Sequence, residues 1–136
     1  MAVVYALEPD LGVDDYVAVL AETIMRDKRP LANRPRIARM LAGAEPIVSA
    51  RENGEILGLA RCISDGAWVC YCAELAVRES AQGRGIGRGL LDKCYEVIGP
   101  GQSLILMSEP SAKGFYEGAG MERHPNTFFH MRSDRS

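Results

Sequence analysis

The stretch from Ala81 to Leu91 combines glycine and arginine in a pattern that favours the binding of phosphate groups. It reads Ala-Gln-Gly-Arg-Gly-Ile-Gly-Arg-Gly-Leu-Leu, so four of the seven residues from Gly83 to Gly89 are glycine. Glycine adopts positive φ and lets the main chain approach a ligand closely. Arginine forms paired hydrogen bonds to phosphate oxygens. The stretch therefore predicts an anion site, provided that neighbouring elements aim its backbone amides at one place.

Those neighbouring elements are a strand before the glycines and a helix after them. The segment from Trp68 to Val77 has the composition of a strand, and the apolar residues beyond Gly85 recur at helical spacing. The helical set is Ile86, Leu90, Leu91, Cys94, Val97 and Ile98. A helix that begins at such a turn leaves N–H groups unpaired at the positive end of its dipole, which is a ready site for phosphate.

Two common nucleotide-binding motifs do not fit the spacing. A P-loop requires G-x-x-x-x-G-K-[ST], and the chain contains no Gly-Lys-Ser or Gly-Lys-Thr. A dinucleotide-binding turn requires G-x-G-x-x-G, yet the sixth position is Arg88 when counted from Gly83 and Leu90 when counted from Gly85. A turn that only links the strand to the helix is the alternative to a phosphate site.

The remaining pattern predicts one sheet with helices on both faces. We expect strands at residues 3–7, 47–51, 56–63, 68–77, 104–107, 121–124 and 127–131, and helices at 14–25, 36–44, 85–98 and from 110 to about 116. Asn53-Gly54 predicts a tight hairpin. The strand at 68–77 is apolar on both faces and should be central. With the helix after it and a buried strand at 104–107, it predicts a parallel pair in the middle of the sheet.

Composition limits the class of protein. The chain has 136 residues, 47% of them hydrophobic, and a net charge of −2, which fits one globular domain and argues against a nucleic-acid-binding surface. We see no signal peptide and no apolar run long enough to span a membrane, so we expect a cytoplasmic protein without a membrane partner. The four cysteines show no zinc-binding pattern, and we expect them to be reduced, buried and without a metal.

Two segments carry a family resemblance. The spacing Gln82-x-x-Gly85-x-Gly87 resembles the pyrophosphate-binding turn of the GNAT superfamily of acyl-CoA N-acyltransferases. The segment Phe115 to Met121, Phe-Tyr-Glu-Gly-Ala-Gly-Met, resembles the Phe-Tyr-x-x-x-Gly-Phe segment near the C-terminus of that family. The predicted order β-α-α-β-β-β-α-β-α-β-β is that of the GNAT fold. The resemblance implies an α/β (α+β) fold in one domain of residues 1–136, with a mixed, mostly antiparallel sheet of six to seven strands and about four helices.

The resemblance also implies an activity and a set of site residues. We expect an acetyl-CoA-dependent N-acetyltransferase in which the backbone of β-strand residues holds the pantetheine arm and the glycine-rich turn holds the pyrophosphate. The cofactor-binding residues are then Leu75, Ala76, Val77, Gln82, Gly83, Arg84, Gly85, Ile86, Gly87 and Arg88. The amide of Leu75 would meet the acetyl carbonyl, and Tyr116 would protonate the departing thiolate. Glu109 stands where many members carry an asparagine.

Glu74 is the second candidate catalytic residue beside Tyr116. It is the only acidic residue inside the predicted central strand, and it adjoins the expected oxyanion donor. Buried carboxylates are uncommon unless they are paired or functional. Glu74 therefore handles the acceptor amine, as base or binding group, or it forms an ion pair with Arg61 on the neighbouring strand, or it is simply solvated. For Tyr116 the alternative is a tyrosine of the core.

The acceptor is expected to be a primary amine. The local pattern around Gly58-Leu59-Ala60-Arg61 resembles small single-domain members that acetylate amines, which favours a small molecule over a protein or peptide. The alternatives are a protein or peptide N-acetyltransferase and a non-catalytic acyl-CoA-binding or regulatory module on the same fold. A homodimer is common in the family but has no signature in this sequence.

Overall fold

A computed structural model describes residues 2–136 and shows a five-stranded sheet with strand order β1-β2-β3-β4-β5. The strands are β1 (Val4–Leu7), β2 (Ile47–Glu52), β3 (Glu55–Ser64), β4 (Val69–Val77) and β5 (Ser103–Leu106). The first four strands pair antiparallel, and β4 pairs parallel with β5. The predicted parallel pair is thus confirmed, although it lies at one side of the sheet because β5 is the last strand.

Four helices flank the sheet in the described part of the chain. They are α1 (Val13–Leu20), α2 (Arg34–Ala42), α3 (Ile86–Ile98) and α4 (Lys113–Gly118), with short 3₁₀ turns at Ile24–Lys28, Glu79–Ala81 and Pro110–Ala112. None of these helices is long and apolar enough to cross a membrane. The number of helices agrees with the prediction.

Each face of the sheet buries its own apolar cluster. On one face the sheet packs against α3, whose Ile86, Leu90 and Cys94 are buried together with side chains from β2, β3 and β4. On the other face it packs against α1 and α2 through residues such as Tyr16 and Ile37. Because β3 and β4 are covered on both sides, they form the fixed frame of the molecule.

The helix predicted at 14–25 ends earlier, at Leu20, and a 3₁₀ turn follows at Ile24–Lys28. Thr23 explains the break. Its hydroxyl donates to the carbonyl of Leu20 (2.8 Å) and accepts from the amide of Met25 (3.2 Å), so it terminates one element and caps the next. This break places Lys28 and Arg29 close to the C-terminal part of the sheet.

The prediction of six to seven strands is wrong, because the two expected C-terminal strands do not form and the described sheet has five strands. Residues 121–124 and 127–131 form no strand and are largely exposed, with Phe128 94% exposed. A strand is stable only against a partner, and these residues do not pair with the outer edge of β5, so a strand-like composition alone does not order them. The strand at 104–107 was expected to be buried; as an edge strand it is half exposed, with Ile105 51% exposed.

Candidate functional site

A cleft opens where β4 and β5 part. The parallel ladder between them ends at Cys72↔Leu106, whereas β4 continues to Val77. The antiparallel register to β3 shifts at the same point, because Arg61 pairs with Glu74 and Cys62 pairs with Cys72, which leaves Ala73 as the extra residue of a bulge. Residues 73–77 of β4 therefore have a partner strand on one side only.

The cleft has a volume of about 570 Å³. Eleven of the twelve predicted site residues line it, namely Glu74, Leu75, Ala76, Val77, Gln82, Gly83, Gly85, Ile86, Gly87, Arg88 and Tyr116. We call residues 73–77 together with the glycine turn (residues 82–88) the strand wall. The opposite side, residues 106–116, is the helix wall. The third side is formed by Thr23, Ile24, Met25 and Arg29, between α1 and α2.

The backbone of β4 presents unpaired groups to the cleft. The amide of Arg78 donates to the carbonyl of Leu57 in β3 (2.8 Å). In a strand, the N–H and C=O groups of one residue point to the same side, and that side alternates from residue to residue. Because the amide of Arg78 points toward β3, the backbone groups of Val77 and Leu75 point away from β3. The side-chain amide of Gln82 already donates to the carbonyl of Val77 from that side (3.3 Å). The amide and carbonyl of Leu75 and the amide of Val77 are therefore available to a ligand that lies along β4.

The glycine turn aims further amides at the same cleft. Gly83 and Gly85 have φ of +81° and +77°, a region that other residues rarely adopt, and Gly85 is the N-cap of α3. The first intrahelical bond runs from the amide of Gly89 to the carbonyl of Gly85, so the amides of residues 86–88 have no acceptor within the helix. With the dipole of the 13-residue α3 behind them, these amides suit an anion.

The two arginines of the turn point to different places. Arg88 lines the cleft, with its Nε 3.0 Å from Asp92 on α3. Arg84 is the one predicted site residue that does not line the cleft, because its guanidinium pairs with the carboxylate of Glu52 on β2 (2.6 Å). Residue spacing located the turn but did not determine these side-chain directions.

Glu74 is the centre of a buried network. Its Oε1 accepts hydrogen bonds from the hydroxyl of Tyr16 (2.8 Å), Nε of Arg29 (2.6 Å) and a terminal nitrogen of Arg61 (2.8 Å). Its Oε2 accepts from Nε of Arg61 (2.5 Å). The ion pair between Arg61 and Glu74, one of the alternatives that the sequence left open, is present. Sequence reasoning missed Tyr16 and Arg29, which lie 58 and 45 residues from Glu74 and give no local signal.

These contacts fix the charge state of Glu74. Burial favours a raised pKa, but the hydrogen bonds and charge of Arg61, with the charge of Arg29, outweigh burial and hold the pKa of Glu74 below its usual value. The side chain has no exposed surface, and it accepts four hydrogen bonds, three at Oε1 and one at Oε2. Glu74 consequently lines the cleft through its backbone, and its carboxylate is turned toward Arg61, Arg29 and Tyr16.

Arg29 connects the third side of the cleft to this network. Besides its bond to Glu74, it donates to the carbonyl of Ala73 at the bulge (2.9 Å) and to the carbonyl of Lys28 (2.9 Å). The segment between α1 and α2 is thereby tied to the point where β4 leaves β5. Arg29 itself lines the cleft with a side chain that is 24% exposed.

Tyr116 lies on the helix wall. Its ring packs edge-on against Phe115, with ring centroids 5.0 Å apart and planes at 81°. Burial raises the pKa of Tyr116 to about 12, so the phenol stays protonated around neutral pH. Among residues 2–136 no partner engages the hydroxyl in a hydrogen bond. A protonated phenol with a free hydroxyl therefore lies on the helix wall, across the cleft from the backbone amides of the strand wall.

A second acidic residue, Glu109, lines the cleft on the helix wall and pairs with Lys28, which does not itself line the cleft. Its Oε2 lies 2.5 Å from Nζ of Lys28. The two side chains are 25% and 47% exposed, so this pair is far more accessible than the network around Glu74. The pair links the 3₁₀ turn at Ile24–Lys28 to the residue that precedes Pro110–Ala112.

The cysteines belong to the core rather than to the chemistry. All four are free and buried, and they pack in the cluster between the sheet and α3. Burial raises the pKa of the Cys70 thiol to about 12. In residues 2–136 no cluster of histidine, cysteine, aspartate or glutamate could hold a metal ion.

Comparisons with known proteins agree with this geometry. A family model of the acetyltransferase (GNAT) domain matches residues 16–131. Serotonin N-acetyltransferase 2, chloroplastic, from Oryza sativa subsp. japonica is 29% identical over 131 residues, which is 92% of this chain. The chain spans 64% of the length of that relative.

Solved structures show the same fold. A GNAT family acetyltransferase from Streptococcus pneumoniae TIGR4 superimposes with a TM-score of 0.78 at 18% identity, covering 99% of this chain and 100% of the other. An aminoglycoside acetyltransferase from an uncultured soil metagenomic sample superimposes with a TM-score of 0.74 at 24% identity, covering 98% and 100%. The match over residues 16–131 spans most of the chain, and the protein belongs to the GNAT acetyltransferase domain family.

Proposed function

We propose that this protein transfers the acetyl group of acetyl-CoA to the nitrogen of a small primary amine by direct attack in a ternary complex. The observation that carries the proposal is the strand wall, where unpaired amides of β4 and of the α3 N-terminus face one cleft. A thioester with a pyrophosphate-containing tail needs donors at both of these places. The name of the curated relative, a serotonin N-acetyltransferase, supports the same reaction.

The glycine turn binds the pyrophosphate. The amides of residues 86–88 lack helical acceptors and lie at the positive end of α3, and Arg88 adds a guanidinium at the cleft. Arg84 reaches the phosphates only if it leaves Glu52, so we assign it a smaller part.

The edge of β4 holds the pantetheine arm as a neighbouring strand would. Leu75 and Val77 offer their hydrogen-bonding groups on the side that β5 leaves vacant. The amide of Leu75 meets the acetyl carbonyl and stabilises the oxyanion that develops during attack. One fixed donor of this kind contributes roughly 3 kcal/mol to the transition state.

Tyr116 supplies the proton that the leaving group needs. The acceptor ammonium first releases one proton to solvent, the neutral amine forms the new C–N bond, the C–S bond breaks, and the thiolate takes the phenolic proton. The proton that the attacking nitrogen releases returns to Tyr116 through solvent. The raised pKa keeps the phenol protonated before each turnover.

Glu74 acts through position rather than as the base. A carboxylate that is buried, is paired with two guanidinium groups and has a pKa below its usual value is a poor proton acceptor for an amine. Its bonds to Arg61 and Arg29 fix the bulge from which the Leu75 amide projects. We therefore assign Glu74 the ion-pair role that the sequence left open.

Release of free thiol tests the proposal. Acetyl-CoA and the protein are mixed with a panel of amines, amino acids and peptides, and thiol release is followed together with calorimetric binding of acetyl-CoA. The expected result is micromolar to millimolar binding and amine-dependent thiol release. Binding without thiol release for every amine would instead identify a non-catalytic acyl-CoA-binding module. Release with peptides alone would identify a peptide acetyltransferase.

A further inference from the structure

Two carboxylates line the cleft in the described chain, and only one of them can meet a ligand. Glu74 has no exposed side-chain surface and makes four hydrogen bonds. Glu109 makes one side-chain bond and retains 25% of its side-chain surface. A cationic substrate that enters the cleft therefore finds a single accessible anionic side chain.

That side chain already binds a primary ammonium. Nζ of Lys28 lies 2.5 Å from Oε2 of Glu109, and within residues 2–136 it makes no other hydrogen bond. The lysine is 47% exposed, and an exposed pair of this kind contributes little to stability. The contact is consequently easy to exchange for a chemically equivalent one. A substrate with the same group, R–NH₃⁺, is that equivalent.

The surroundings of Glu109 define the rest of the ligand. Ile24 and Met107 line the same cleft and are 60% and 49% exposed. Exposed apolar side chains in a cleft with one accessible carboxylate suit a molecule with a cationic end and an apolar or aromatic body. A polycation finds less complementarity, because the other charged side chains of the cleft are Arg29, Arg88 and Glu74, and the carboxylate of Glu74 is already paired with Arg61 and Arg29.

We infer that Glu109 binds the ammonium group of the acceptor amine, in the place that the side chain of Lys28 occupies in the free protein. Lys28 is then an internal competitor that leaves Glu109 when the acceptor binds. The inference rests on the proposed function for the acyl donor, and it adds the class of acceptor and the residue that selects it. Glu109 is assigned to binding, and no proton transfer is assigned to it.

The directions in which two substitutions shift acceptor affinity separate this role from that of a structural salt bridge. If the pair only closes the cleft, Lys28→Met and Glu109→Gln remove the same bridge and shift acceptor affinity in the same direction. If Glu109 binds the acceptor, the two substitutions act oppositely. Glu109→Gln removes the carboxylate that binds the acceptor and lowers acceptor affinity, whereas Lys28→Met frees that carboxylate and raises acceptor affinity.

Calorimetry of the protein saturated with CoA measures this without turnover. The probe is phenethylamine, a primary ammonium on an aromatic body, and 2-phenylethanol is its uncharged counterpart. Glu109→Gln should weaken phenethylamine binding about tenfold, the effect of losing a hydrogen bond to a charged group. Lys28→Met should tighten it several-fold. The affinity for 2-phenylethanol should be the same in the wild type and in Glu109→Gln.

Glu117→Gln is the matched control. Glu117 on α4 is also paired with a single cation, Arg123 at 2.5 Å, and is 49% exposed, but it does not line the cleft. Its substitution should leave phenethylamine affinity unchanged. Equal affinity in wild type and Glu109→Gln, shifts of the same sign in Glu109→Gln and Lys28→Met, or no phenethylamine binding to the wild type would each overturn the inference. Failure of the proposed function shows separately, as absent acetyl-CoA binding or absent thiol release with every acceptor.

Discussion

The two walls of the cleft differ in how firmly they are held. On the strand wall, Ala76 and Ile86 are each 2% exposed, and β4 is paired with β3 from Cys70 to Val77 except at the bulge residue Ala73. On the helix wall, Met107 and Phe115 are 49% and 39% exposed, and the wall rests on a four-residue edge strand and the six-residue α4. One wall is part of the core, and the other is attached to its margin.

This difference matches what each wall is proposed to do. Donors aimed at phosphate and at an oxyanion are effective only when they do not reorganise, and the strand wall fixes them by sheet pairing and by the network around Glu74. The helix wall carries Tyr116 and Glu109. Tyr116 is proposed to meet the departing thiolate, and Glu109 is proposed to meet the incoming acceptor amine. Substitutions on the strand wall should therefore affect stability or cofactor affinity, and substitutions on the helix wall should affect rate or acceptor affinity.

The largest effect is expected for Gly85→Val on the strand wall. The substitution forces a β-branched residue to adopt φ of +77° and turns the following amides away from the pyrophosphate. Loss of two hydrogen bonds to a charged group, at about 1.5–3 kcal/mol each, lowers acetyl-CoA affinity by roughly 10²–10⁴-fold. Calorimetric titration with acetyl-CoA measures this change in affinity.

Gly54→Val separates the cofactor effect from backbone strain. Gly54 has nearly the same φ, +80°, and like Gly85 it has no heavy atom within 4 Å of an added Cβ, but it lies in the β2–β3 hairpin. Both variants should lose a similar amount of stability, and only Gly85→Val should lose acetyl-CoA affinity. Similar acetyl-CoA affinities in the two variants would exclude the glycine turn as the pyrophosphate site.

Arg61→Ala should have the largest effect on stability. It removes two of the four hydrogen bonds to Glu74 and leaves a fully buried carboxylate with one cation. Breaking a buried pair in this way typically costs about 3–5 kcal/mol. Urea denaturation followed by circular dichroism gives the change in the free energy of unfolding.

The surface pair of Arg84 and Glu52 provides the comparison for Arg61. Arg84 is 43% exposed, so Arg84→Ala should change the free energy of unfolding by about 0–1 kcal/mol. If Arg61→Ala is no more destabilising than Arg84→Ala, the network around Glu74 does not hold the strand wall together.

Sequence reasoning located the strand wall because its signals are local. The apolar run that ends at Val77, the glycines from Gly83 to Gly89 and the helical spacing after them are continuous in sequence. The pair of Arg61 and Glu74 was accessible for a related reason, since a hairpin-like connection brings adjacent strands together in a fixed register. Each of these inferences needed only short-range periodicity.

What sequence reasoning could not supply depends on contacts between distant segments. Nothing near Tyr16 or Arg29 indicates that they reach Glu74, and nothing near Lys28 indicates Glu109, 81 residues away. In the C-terminal segment, by contrast, sequence reasoning predicted a strand that does not form. Residues 127–131 have a strand-like composition, but a strand needs a partner, and composition does not reveal whether one is present.

On the helix wall, Tyr116→Phe should reduce the rate without a comparable loss of stability. The ring and its edge-on contact with Phe115 are kept, so folding and acetyl-CoA affinity should change little. General acid assistance contributes roughly 10²–10⁴-fold, and a thiolate leaves readily, so we expect a fall in kcat of about 10²-fold. A higher assay pH should not restore the rate, because phenylalanine has no proton to donate. An unchanged kcat over the pH range would return Tyr116 to a packing role.

The smallest effect is the acid dependence that distinguishes Glu74 from a passive core residue. Because the pKa of Glu74 is lower in the folded protein than the ordinary value of 4.5, ionised Glu74 contributes stability above that ordinary value. The contribution is lost as the pH falls through the lowered pKa, since a protonated carboxyl no longer pairs with Arg61 and Arg29. Glutamine resembles that protonated form. The difference in the free energy of unfolding between wild type and Glu74→Gln should therefore be largest near neutral pH and should narrow as the pH falls below about 4.5, at no more than about 1.4 kcal/mol per pH unit for one proton. Urea denaturation at a series of pH values measures this difference. A difference that stays constant down to the acid limit of folding would mean that the charge of Glu74 does not stabilise the strand wall, and that the network acts by shape alone.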